Sequence, residues 1–350
     1  MYKKTVIKVG TNVITKENGE LDVTVMKNIV EQIVRLKKSG VQIILVSSGA
    51  MGAGRASIKL DKNTGDVTKR QVLAAIGQVN LMETYKRLFG RHGIVSAQVL
   101  ATKEDFRDRR HFLNMKNCFE GLLKANVIPV VNENDVVSIT ELMFTDNDEL
   151  AGLVAGMMDM DAVVFLSTVD GVINEEREVI SIFKNKDTQW KNLASCQTSS
   201  FGRGGMSTKC KIADKLSSIG ITTYIVNGKT KNILTDLFEG KDTGTRFQAQ
   251  KRNLSAIKKW IAYSDGYEKG IVYLNECAEP VLREGARSLL PIGVTKVEGS
   301  FEKGDVIKII NHKKKDIGFG KVEYGSDMAQ KYAGKKGKKV LVHYDYLYLS

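Results

Sequence analysis

Short apolar, β-branched runs alternate with segments of helical period through the first two-thirds of the chain, and this alternation restricts the fold more than any other feature. Lys4–Val9 and Val41–Ser47 read as strands. Between them Val23, Met26, Ile29, Val30, Ile33 and Val34 recur at the spacing of one helix face. Asp22 is placed to cap that helix and Gly40 to end it. A second long amphipathic helix runs from Val72 through Ile76, Leu81 and Tyr85 to Leu88. Strand-like runs return at Val127–Val131, Ala162–Ser167 and Thr222–Val226, with helices expected over Phe112–Ala125, Asp148–Met158 and Ser207–Ser218. Strands that alternate with helices predict an α/β domain whose mainly parallel sheet is covered on both faces.

The pattern changes after about Trp260. Gly270–Leu274, Asp305–Ile310 and Lys339–His343 are short β-rich pieces set among turn-like glycines. The chain, at 350 residues, is long enough for two cores. We expect an α/β domain over residues 1–250, a linker over 251–266 and a small β-rich domain over 267–350.

Composition excludes several classes. The four cysteines form no C-x-x-C pair, so neither a disulfide framework nor a zinc site is indicated, and reduced thiols in a cytosol fit. Lys8 interrupts the N-terminal apolar run, so no signal peptide is expected, and no segment approaches the roughly 20 apolar residues of a membrane span. A cytoplasmic protein is expected. The net charge of +13 invites a nucleic-acid reading. Yet Tyr267–Ser350 carries 15 Lys and Arg against 11 Asp and Glu, close to its share by length. The clusters at Lys313–Lys315 and Lys335–Lys339 read first as solvated hairpins or loops.

In an open α/β sheet, ligands bind beyond the carboxyl ends of the strands. The first strand ends in Lys8-Val9-Gly10, and a lysine inside a buried strand is costly unless its charge is used. The second ends in the small-residue loop Ser47-Ser48-Gly49-Ala50. Later ends carry Asn132-Glu133-Asn134-Asp135, then Asp146-Asn147-Asp148 at a helix start, then Ser167-Thr168. Gly202-Arg203-Gly204-Gly205-Met206-Ser207-Thr208-Lys209 precedes a helix, where free N–H groups and Lys209 suit phosphate, although the spacing is not that of a Walker A loop. Each loop alone reads equally as a turn or cap; Asp148, for one, fits a plain N-cap. Together they suggest one pocket with a phosphate end and a small polar-substrate end.

These same segments resemble the glutamate 5-kinases of the amino-acid kinase family, nearly end to end. Arg283–Pro291 and Phe301–Ile307 look like part of a PUA domain. The resemblance implies a three-layer αβα kinase domain with a small β-rich PUA domain. It implies Mg²⁺- and ATP-dependent phosphorylation of the L-glutamate side chain to glutamyl 5-phosphate, the first step of proline synthesis. Feedback inhibition by proline, a dimer or tetramer, and transfer of product to a glutamyl phosphate reductase are further implications. Carried over by position, Lys8 is phosphate-contacting; Ser48, Asp135 and Asn147 bind glutamate. Ser167, Thr168 and the loop Arg203, Gly204, Gly205, Met206, Ser207, Thr208 and Lys209 contact the nucleotide. Lys8 and Lys209 are expected to serve the transferring phosphoryl group and Asp148 to hold them. Replacing either lysine is expected to slow turnover with little change in stability.

The family usually has Thr-Asp at Ser167-Thr168, a different loop after Gly171, and a small residue at Arg203. These departures gather at the nucleotide end. Aspartate, acetylglutamate and uridylate kinases are the near rivals. The rival of another class is an RNA-binding PUA protein with a degenerate kinase domain.

Overall fold

The computed structural model describes residues 2–61, 63–138, 144, 146–184, 190–195, 205–251, 254–264 and 266–349. The chain divides into two compact units, residues 1–102 with 116–252, and residues 103–115 with 253–350.

Up to residue 252 the elements are β1 (Lys4–Val9), α1 (Thr11–Ile14), α2 (Val23–Lys38), β2 (Gln42–Ser47), α3 (Ala50–Ser57), α4 (Asp66–Gly90), β3 (Ser96–Ala101), α5 (Lys103–Arg107), α6 (Arg109–Lys124) and β4 (Ile128–Glu133). There follow α7 (Asn147–Met157), β5 (Ala162–Ser167), β6 (Ile182–Phe183), α8 (Trp190–Ser195), α9 (Met206–Ser218), β7 (Thr222–Asn227), α10 (Ile233–Phe238) and β8 (Thr245–Phe247). The sheet order is β3-β4-β2-β1-β5-β7-β8-β6. All pairings from β3 to β7 are parallel, with Lys8 of β1 opposite Val46 on one side and Phe165 on the other. β1 is thus central, and the chain crosses from β4 over β2 and β1 to β5 through α7.

Alternation along each strand sets the layers. Ile7, Val9, Ile43, Leu45, Val130, Val164, Leu166 and Val226 face α2, α4 and α10 in one continuous core. Val6 and Lys8 point the other way, toward α7, which packs on β1, β2, β4 and β5 and against α9. Asp22 caps α2 as expected, its carboxylate accepting from Thr24 N and Val25 N at 3.1 Å each. The edge strand β3 was not expected: its small and polar residues, Ser96, Ala97 and Gln98, carry no apolar run.

In the second unit, α11 (Ala256–Tyr263) precedes β9 (Gly270–Leu274), α12 (Ala278–Arg283), β10 (Val294–Gly299), β11 (Val306–Ile310), β12 (Asp316–Val322), α13 (Ser326–Tyr332) and β13 (Val342–Leu349). The five strands form one sheet, β10-β9-β11-β12-β13, around its own core of Val272, Ile307, Ile309, Ile317, Val342 and others. The stretch 251–266, expected as a linker, carries α11. Ser255 caps it, and the half-buried Trp260 packs against Phe112 with the rings tilted and their centroids 4.7 Å apart, which gives residues 103–115 a partner in this unit. The expected strand over Lys339–His343 lies farther on, at β13, because the lysine-rich part of that run stays exposed.

Candidate active site

The carboxyl ends of β1, β2 and β5 are tied together by backbone. Gly10 N donates to Leu166 O at 3.2 Å, and Ser48 N donates to Val9 O at 3.1 Å. Gly49 follows with φ +103°, a left-handed conformation that glycine adopts without strain, and opens α3.

Lys8 is buried, and so is its partner. Its Nζ lies 2.5 Å from Oδ1 of Asp148, which has no exposed surface. The other carboxylate oxygen, Oδ2, takes Lys209 Nζ at 2.9 Å. Asp148 does not cap α7. That role falls to Asp146, whose Oδ1 accepts from Asp148 N at 2.9 Å and Glu149 N at 3.1 Å. Asp148 is thereby free to point inward from the first turn. Burial alone would raise its carboxyl, but the charges of Lys8 and Lys209 outweigh burial and hold it below the usual range. Asp146 is pushed up, by burial first and then by the charge of Asp148. Burial pulls the Lys209 ammonium down, but Asp148 more than offsets this and raises it. Two cations are thus fixed on one anion, leaving a net positive charge where the strands end.

Ser48 and Asn147 also meet: Asn147 Nδ2 donates to Ser48 Oγ at 2.8 Å and to Asn132 Oδ1 at 2.8 Å. Asn132 Nδ2 in turn donates to Gln78 Oε1 at 2.8 Å. Asn147 Oδ1 and Gln78 Nε2 are buried without hydrogen-bond partners, as is Asp146 Oδ2. A buried polar group left without a partner is costly. Asp135 takes a partner that sequence reasoning did not foresee, Arg70 of α4. Both Nε (3.1 Å) and Nη2 (2.6 Å) donate to Asp135 Oδ1, and Nη2 lies 3.6 Å from Glu133 Oε2. Burial, then the charge of Asp135, pushes the Glu133 carboxyl up to about 7. Glu133 Oε1 accepts from Phe144 N at 3.1 Å.

At the other end, Ser167 closes β5, half-buried, and Thr168 is exposed. Gly205 precedes α9, whose first turn presents Met206 buried, Ser207 exposed and Thr208 half-buried. Arg203 and Gly204 lie outside the described residues. Val172, in the divergent loop after Gly171, is fully buried, and its N–H donates to Thr245 Oγ1 at 2.8 Å. The lysine clusters occupy the turn between β11 and β12 and the stretch between α13 and β13, as the sequence suggested.

Comparison with known proteins fits this geometry. Residues 3–227 match the model of the amino acid kinase family, and residues 270–344 match that of the PUA domain. Over 354 residues the chain is 49% identical to a glutamate 5-kinase of Chlorobaculum tepidum, spanning 100% of this chain and 98% of the relative. The chain belongs to the glutamate 5-kinase branch of the amino acid kinase family. Glutamate 5-kinases of Bacteroides thetaiotaomicron (47% identical, 99% of each chain) and Thermotoga maritima (37% identical, 100% of each) are similar along their whole length. In this amino acid kinase the departing loop follows Gly171, which has no room for a side chain, because an added Cβ would stand 2.6 Å from Thr245 Oγ1.

Arg70 and Gln78 escaped notice because they sit inside a helix rather than at a strand end. Their spacing of eight residues was the available signal, since it places both on one face of α4.

Proposed function

We propose that this chain transfers the γ-phosphoryl group of ATP to the side-chain carboxylate of L-glutamate, giving L-glutamyl 5-phosphate and ADP, in the first step of proline synthesis. The observation that carries the reading is the placement of Lys8 and Lys209 on opposite oxygens of one buried carboxylate, at the carboxyl ends of the central strands. The acceptor carboxylate has an ordinary pKa of about 4.3 and is already ionised, so no general base is needed. One carboxylate oxygen bonds to the γ-phosphorus as the bond to the β–γ bridging oxygen breaks, and that oxygen leaves on ADP. The barrier lies in bringing anion to anion, which two fixed cations lower. Asp148 holds the lysines and takes no proton.

In this reading Asp135 receives the substrate ammonium, and Ser48 and Asn147 bind its carboxylates. Ser167, Thr168 and residues 203–209 contact the nucleotide. Among the described residues no group of three or more His, Cys, Asp or Glu side chains could hold a metal ion. A Mg²⁺ would come with the nucleotide's phosphates and would need few protein ligands. When bound, the ion supplies neutralisation of phosphate charge.

Proline, which shares the α-carboxylate and a cationic amine with glutamate, is proposed as a feedback inhibitor. A dimer or tetramer, a cytoplasmic location and hand-over of the labile product to a glutamyl phosphate reductase complete the reading. No helix among the described residues is long and apolar enough to cross a membrane.

The test is trapping of the acyl phosphate by hydroxylamine with ATP and Mg²⁺, using glutamate, aspartate and acetylglutamate as acceptors, and with GTP in place of ATP. Hydroxamate from glutamate alone supports the proposal. No hydroxamate with any acceptor, from folded protein, would favour the degenerate kinase domain serving an RNA-binding PUA domain.

A further inference from the structure

Helix α4 forms a second support for the acceptor end. It is seated closely on α3: a Cβ added at Gly77 would stand 1.7 Å from Ala50 O, and one at Gly54 would stand 2.0 Å from Leu73 O. From this fixed position Gln78 holds Asn132 and Arg70 holds Asp135. The arrangement of Arg70 is particular. A guanidinium facing a carboxylate head-on would bond to both oxygens. Here Nε and Nη2 converge on Oδ1 alone. The side chains of Arg70 and Asp135 are each 13% exposed, and that of Glu133 is 9% exposed. Two largely buried carboxylates thus share one cation.

We infer that Arg70 is a positioning residue for the amino group of the substrate: by gripping Oδ1 it locks the Asp135 carboxylate and leaves Oδ2 to receive the ammonium. Its charge also offsets Glu133, which otherwise repels Asp135. Arg70 touches no reacting atom in this account. The inference rests on the proposed role of Asp135.

The prediction separates amine recognition from carboxylate recognition. Arg70→Met raises KM for glutamate about 10- to 100-fold, the loss of a charge-assisted hydrogen bond, while KM for ATP stays within about twofold. Glutarate, which is glutamate without the amine, is the discriminating probe. Its inhibition constant against glutamate stays within about twofold in Arg70→Met. Arg70→Lys, which restores a point charge without the fork, recovers part of the affinity. If Arg70→Met does not fold, Arg70→Met/Glu133→Gln removes the repulsion between the carboxylates and retains the acceptor for Phe144 N. It shows the same glutamate-specific defect. Equal weakening of glutamate and glutarate, or a fall in kcat at unchanged KM, overturns the inference. Asp135→Asn, measured in parallel, separates the two levels. An unchanged KM for glutamate there defeats the reading of Asp135 itself. A raised KM there, with none in Arg70→Met, defeats only the role of Arg70.

Discussion

Lys8 and Asp148 meet at 2.5 Å although one lies in the central strand and the other in the first turn of the crossover helix, and neither is appreciably exposed. With Lys209 on the second oxygen, the three side chains form a unit. Lys8→Met or Lys209→Met should lower kcat by about 10²- to 10³-fold, the effect of deleting one electrostatic contact to the transition state. The burial of this pair predicts a loss of stability where the sequence led to an expectation of little change. Removing one partner of a buried ion pair costs about 3–5 kcal/mol, and the remaining lysine should hold the loss below that range. Thermal unfolding of both variants measures it; an unchanged Tm in both would contradict the pairing.

Glu133 gives a pH dependence with a definite sign. Its carboxyl is raised from 4.5 to about 7 by burial and by Asp135. Folding therefore favours its protonated form. The resulting stability is fully present below about pH 4.5 and is lost as pH rises through about 7. Glu133→Gln removes that loss and should gain about 1–2 kcal/mol on the parent between pH 5 and pH 8. Urea unfolding at the two pH values checks this, and equal differences at both would contradict it.

Gly77→Ala tests the seating of α4. A Cβ there meets Ala50 O at 1.7 Å and Gly54 N at 2.4 Å, both backbone atoms that cannot step aside. Overpacking of this kind costs about 1–3 kcal/mol. The variant should unfold at lower urea and bind glutamate more weakly, because α4 carries Arg70 and Gln78. Normal stability would mean that the two helices separate easily.

Much of this was legible because buried parallel strands read as apolar runs and their ends read as breaks in those runs. Lys8 stood out as a charge inside such a run, and Asp148 and Lys209 followed helix-start signals. The cap at Asp146 was less legible: in Asp146-Asn147-Asp148 either aspartate satisfies the local pattern, and only burial and the two lysines decide which turns inward. Arg70 depended on tertiary contact with Asp135, which helix periodicity does not encode. Edge strand β3 and α11 were missed for opposite reasons, one too polar to read as a strand and the other set in a segment read as a linker.

The most direct measurement is kcat for hydroxamate formation from glutamate and ATP by Asp148→Asn, which keeps the shape of the side chain and removes the charge that holds both lysines. The account predicts a loss of about 10²- to 10³-fold in kcat, with KM for glutamate changed by no more than a few-fold. Turnover within a few-fold of the parent, from folded protein, would contradict it.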